Sequence, residues 1–96
     1  MQVLFSKKAY KSILSLEKFL TEEIQMPLTA YRYSNKMEIF AKSLAKNPIG
    51  YKICSRPKWN LNNYRCATFD KKWIFVFEVL QDKIIIRELV LGKLLK

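Results

Sequence analysis

Apolar and polar positions follow two different rhythms along this chain. From Lys7 to Ile24 the apolar residues Ala9, Ile13, Leu16, Leu20 and Ile24 return at three- and four-residue steps, which predicts one stripe of an amphipathic helix. Ser6 stands where its hydroxyl can cap the first turn. Gln25-Met26-Pro27 should end the helix, because a residue preceding proline is pushed out of helical space. Leu28–Lys46 predicts a second helix, with Ala30, Met37, Ala41 and Leu44 on one face and Tyr33 and Phe40 beside them. Asn47-Pro48 closes it and Gly50 allows a turn. So short a link between the helices predicts an antiparallel hairpin.

Beyond Tyr51 the period shortens to that of strands. Gln2–Phe5, Tyr51–Ser55, Tyr64–Phe69, Trp73–Leu80 and Lys83–Leu91 read as strands, and Arg56–Asn63 as a polar loop around Pro57. Turns at Asp70-Lys71 and Gln81-Asp82 make hairpins of the last three, so the sheet is expected to be antiparallel. The fold class is therefore α+β, a single domain over residues 1–96. An antiparallel sheet wetted on one face should alternate, yet this one does not. Trp73, Phe75, Phe77 and Val79 oppose Ile74, Val76 and Leu80; Ile84, Ile86 and Val90 oppose Ile85, Leu89 and Leu91. Either curvature buries both faces, or the face away from the helices is an apolar docking surface. The core is expected to hold Ile13, Leu20, Met37, Leu44, Phe75 and Phe77.

Charge sharpens this picture. Eighteen Lys+Arg against eight Asp+Glu leave +10, which speaks of an acidic or polyanionic partner. Lys52, Arg56, Lys58, Arg65, Lys71 and Lys72 gather within Ile49–Lys72 against one acid, Asp70. No apolar run approaches the roughly 20 residues of a membrane span, and Met1–Phe5 is too short for a secretory signal. A cytoplasmic location is the expectation, with no membrane partner.

Histidine is absent, and Cys54 and Cys66 lie twelve positions apart. No metal site and no cofactor are expected from that set. The cysteines are expected as two buried thiols on strands. Without histidine, proton transfer would fall to Lys, Arg, Tyr or a carboxylate.

The order of strand, helix hairpin and curled antiparallel sheet resembles the RelE/ParE superfamily of type II toxin–antitoxin toxins. The likeness spans nearly the whole chain. Ser6-Lys7-Lys8-Ala9-Tyr10 is similar to the opening of that family's first helix, and Ala41–Pro48 to the end of its second. Asn63-Tyr64-Arg65 resembles its arginine-bearing strand, and Lys72–Val79, the turn at Asp82 and Lys83–Ile86 give the nearest match.

The resemblance implies an acidic antitoxin as partner, and a cellular target that differs between two branches. Ribosome-dependent ribonucleases of the RelE kind cut messenger RNA with a Lys/Arg cluster and a C-terminal Tyr or His. The ParE kind poison DNA gyrase. Arg65 matches the strand arginine, and Lys93 stands where the family's nucleases place an arginine. No Tyr or His follows Lys93, which favours the ParE-like, non-enzymatic branch. Were the chain a nuclease, Arg65, Lys52 and Lys93 would be its catalytic cations, with Lys52, Tyr51, Tyr64 or Glu78 as base. As a partner- or phosphate-binding surface the same reading names Arg65, Lys52, Arg56, Lys58, Lys93 and Trp73. A third reading, a nucleic-acid-binding module, has Tyr51, Trp59 and Tyr64 stacking on bases.

Overall fold

The computed structural model describes residues 1–92. Strand β1 covers Gln2–Phe5 and helix α1 Lys7–Lys18, capped by Ser6, whose Oγ accepts from the Ala9 amide at 3.1 Å. A π-helical turn over Phe19–Glu23 prolongs α1, and Gln25 at φ 57° stops it, the Met26 amide donating back to the Leu20 carbonyl. Helix α2, Pro27–Ser43, starts on a proline, whose missing N–H costs nothing in a first turn. A 3-10 turn at Leu44–Lys46 completes it. Then come a four-residue helix α3 at Pro57–Asn60 and strands β2 (Arg65–Phe69), β3 (Trp73–Val79) and β4 (Lys83–Leu91).

The sheet order is β1-β4-β3-β2. β2, β3 and β4 pair antiparallel as expected, whereas β1 runs parallel to β4, with Gln2 opposite Lys83 and Phe5 opposite Ile86. The all-antiparallel expectation is corrected there. The helix hairpin carries the chain across before it re-enters the sheet, the kind of crossover that a parallel pair requires.

Both helices pack on one face of the sheet. Ala9, Met37, Ala41 and Leu44 meet Ala67, Phe75, Phe77, Ile84, Ile86 and Leu89 in the main core. The small side chains of Ala9 and Ala41 let the helices approach closely, and Phe40, Phe69 and Phe75 fill the space beyond with tilted and edge-on ring contacts. Met37, Leu44, Phe75 and Phe77 are buried as expected; Ile13 and Leu20 are only half-buried, and Ile24 is exposed.

Four further expectations change. Tyr51–Ser55 is not a strand: it contributes a single bridge, Ile53 to Arg65. The expected polar loop at Arg56–Asn63 contains α3 and buries Trp59 to 2% exposure. A β-bulge sets Val76 opposite Glu88 and Phe77 opposite Ile86, leaving Arg87 as the extra residue in β4. Parity along β4 flips there, so Leu89 joins Ile84 and Ile86 in the main core and Val90 turns to the other face. Finally, Cys54 and Cys66 are joined as a disulfide, not held as two thiols.

The second sheet face is thus covered. Cys54, Trp59 and Val76 form a satellite core with Tyr64, Cys66, Ile74 and Val90 around it. Between the two openings that a doubly apolar sheet left, neither sheet curvature nor a bare docking face describes this strip. A folded segment of the chain itself lies on it.

Candidate partner-binding surface

The sheet divides the expected site residues. Residues opposite one another in an antiparallel pair share a face. Arg65 is opposite Phe77 and therefore lies on the helix side, where its Nη1 donates to the Tyr51 carbonyl at 2.6 Å. The Tyr51 ring meets Phe77 edge-on beside it. Lys52 and Arg56 instead line a groove of about 410 Å3 with Ile53, Trp59, Ile74 and both cysteines, on the far face. Lys58 turns toward Glu88, its Nζ 3.7 Å from Oε2 and 5.3 Å from the Trp59 ring. Trp73 lies half-buried on the helix side, near none of these cations. Lys93 falls outside the described residues. The five described residues expected to share one site are dispersed over at least three places.

Glu88 is the acid that ties two of these places together. Its carboxylate accepts from Trp59 Nε1 at 2.8 Å and pairs with Lys8 Nζ at 3.1 Å. Burial pushes the Glu88 carboxyl up, but the Trp59 N–H and the Lys8 and Lys58 ammonium groups outweigh it and hold it below the usual carboxylate range. This one side chain pins α3 over the far face and α1 beside the end of β4. Elsewhere, Asp70 accepts from the Tyr33 hydroxyl at 3.1 Å and anchors the β2–β3 turn to α2. Burial, then the Asp70 carboxylate, raises the Tyr33 pKa.

A different surface has the character of an interface. β1 pairs only Lys83–Ile86 of β4, so among the described residues no strand accompanies Glu88–Leu91 on that side. Between this edge and α1 runs an open groove of about 670 Å3, walled by Leu16, Phe19, Trp73, Leu89 and Leu91 and rimmed by Lys8 and Lys11. Phe19 is 50% exposed there although it is a large apolar side chain. On the other flank of α1, Phe5, Tyr10, Ile13, Leu14 and Tyr31 line a second groove, of about 470 Å3, between the helices. The second groove carries the acids Glu17 and Glu38 and no cation; in the first, apolar walls, a cationic rim and an unpaired edge strand together suit a segment that brings aliphatic side chains, carboxylates and its own backbone.

Of these residues, reading the sequence found Trp73 and missed Phe19, Lys8, Lys11 and Glu88. A signal for Phe19 was present: it sits beside Leu20 but off the Ala9–Leu16 stripe, where a buried partner would not be waiting. Glu88 gave none, since its role depends on the bulge.

These elements, a strand, a helix hairpin and an open four-stranded mixed sheet with β4 next to β1, make up the expected α+β fold. No family model and no curated protein matches the chain. Among solved structures, a chain of the chromosomal ParDE TA system from P. aeruginosa is similar at a TM-score of 0.75 and 16% identity, over 93% of this chain and 92% of that one. At that identity the likeness is one of fold.

Proposed function

We propose that this protein is the toxin of a type II toxin–antitoxin pair, neutralised by an acidic antitoxin that lies along the groove between α1 and β4. The observation that carries this reading is that groove itself. It offers exposed Phe19, the Lys8 and Lys11 rim and the unaccompanied edge Glu88–Leu91, on a chain of +10 net charge. A segment that folds on binding covers apolar and cationic surface together, and steers in by charge. The likeness in fold to a chain of a ParDE system supports the same assignment.

Released from its antitoxin, the toxin acts by binding and poisoning a target such as DNA gyrase, in the cytoplasm. The scatter of cations favours this over messenger RNA cleavage. A ribonuclease needs several cations converging on one phosphate, whereas Arg65 is engaged by the Tyr51 carbonyl on one face while Lys52 and Arg56 lie on the other. Expression without antitoxin should stop growth and induce a DNA-damage response while ribosome-bound messages stay intact. Cuts in those messages, lost in Arg65→Ala, would establish the nuclease instead, and unimpaired growth would remove the toxin reading altogether.

A further inference from the structure

The far-face groove is a second site, and its floor is chemical as well as apolar. Both cysteines line it. Lys52 and Arg56 stand two residues to either side of Cys54, and none of the lining residues is acidic. Neither cation makes an ion pair among the described residues. The nearby carboxylate, Glu88, is already answered by Lys8 and Lys58. A purely structural disulfide is commonly sealed in apolar surroundings, whereas reactive ones sit in partly open, electropositive places. Cys54 is 2% exposed and Cys66 is half-buried, so an incoming group meets Cys66 first.

We propose that Cys54–Cys66 is a redox-active disulfide whose cationic groove admits a small anionic thiol. The thiolate attacks Cys66 Sγ, forming a mixed disulfide and breaking the Cys54–Cys66 bond. Cys54 departs as a thiolate, steadied by Lys52 and Arg56, and takes up a proton. A second thiolate attacks the sulfur of the bound small molecule and releases Cys66, which is protonated in turn. Two small thiols are oxidised to one small disulfide, and the protein gains two thiols. This is ordinary thiol–disulfide exchange, with the site supplying attraction for the nucleophile and relief for the leaving group.

The structural consequence is local. The segment stays attached through the Cys54 amide donating to the Tyr64 carbonyl at 2.8 Å, the Cys66 amide donating to the Lys52 carbonyl at 3.1 Å and Asn60 Nδ2 donating to the Cys54 carbonyl at 3.0 Å. Reduction therefore loosens the cover over Val76 and leaves the helix-side core standing.

The test uses the oxidised full chain, free of any partner, so its outcome does not depend on the toxin assignment. Release of protein thiols is counted by alkylation and mass during exposure to mercaptopropionate, 2-mercaptoethanol or cysteamine. Each rate is divided by that thiol's rate on a neutral model disulfide. The anionic thiol should exceed the neutral one by about tenfold at low salt, the effect of two solvated cations lining the same groove. Cysteamine should be the slowest. The advantage should collapse at high salt and in a Lys52→Gln/Arg56→Gln chain, yet survive in Lys36→Gln/Lys46→Gln, which removes the same charge elsewhere. Equal normalised rates for the three thiols would overturn the proposal. So would an advantage that both double variants share, or two alkylatable thiols in the oxidised chain.

Discussion

The two faces of the sheet are sealed by different means. On one, two long helices lay Ala9, Met37, Ala41 and Leu44 over Phe75, Phe77, Ile84 and Ile86, and apolar contact closes the core, with polar ties such as Tyr33–Asp70 at its margin. On the other, a segment containing a single turn of helix covers Val76. It is fixed by the Cys54–Cys66 bond, the Trp59–Glu88 hydrogen bond and Asn60 Nδ2 donating to the Cys54 carbonyl. A large cover is held by the area it buries. A four-residue helix buries too little to hold itself, and polar and covalent ties replace the missing area. The same contrast explains why chemistry gathers on the far side, since ties of that kind are titratable or redox-active and apolar contacts are not.

Removing an anchor from the helix face should have the largest effect. Phe77→Ala empties a fully buried site beneath Tyr51 and is expected to cost about 3–5 kcal/mol in denaturant unfolding. A loss under about 1 kcal/mol would mean that this face is not the principal core.

The far face should respond less, and in a pH-dependent way. Glu88→Gln replaces a charge-assisted acceptor of Trp59, Lys8 and Lys58 with a neutral one, and should cost about 1–2 kcal/mol at neutral pH. Because the native carboxyl titrates below its ordinary range, its contribution is full above the unfolded-state pKa, roughly 4.3 for Glu, and fades as pH falls through the native value. The wild-type and Glu88→Gln stability curves should converge on acidification. Curves that run parallel down to low pH would show that the Glu88 charge is not one of the ties.

The turn between β2 and β3 offers the smallest effect, and one of opposite sign. Asp70 and Lys71 both have positive φ, at 54° and 57°, with the Lys72 amide donating to the Phe69 carbonyl, the arrangement of a type I′ hairpin. Lysine is strained there and glycine is not, so Lys71→Gly should stabilise by about 0.5–1 kcal/mol in thermal or denaturant melts.

How much of this was readable depended on whether the deciding contact was local. The bounds of β1 and β4, the Ser6 cap, the hairpin and the Asp70-Lys71 turn all came from neighbouring residues, and all stand. The parallel pairing of β1 did not come through, because its partner lies some eighty positions away. The bulge at Arg87 breaks the two-residue period that assigned Leu89 and Val90 to faces, and nothing beside Arg87 announces it. Helix α3 is too short to show a period, although Pro57 marks its first residue and Trp59 is an odd member of a polar loop. The cation cluster illustrates the same limit: proximity in sequence gathered Lys52, Arg56 and Arg65, and strand alternation then set Arg65 on the opposite face.

Hydrogen exchange of the chain alone and in the presence of the product of the adjacent reading frame, the antitoxin under the proposed function, tests the central claim most directly. Protection gained on binding should concentrate along Lys8–Phe19 and the edge Glu88–Leu91, and the complex should weaken by about a hundredfold in Phe19→Asp, as for a central apolar anchor. Protection confined to Lys52–Trp59, with Phe19→Asp binding as tightly as the wild type, would place the partner on the far face and contradict the account.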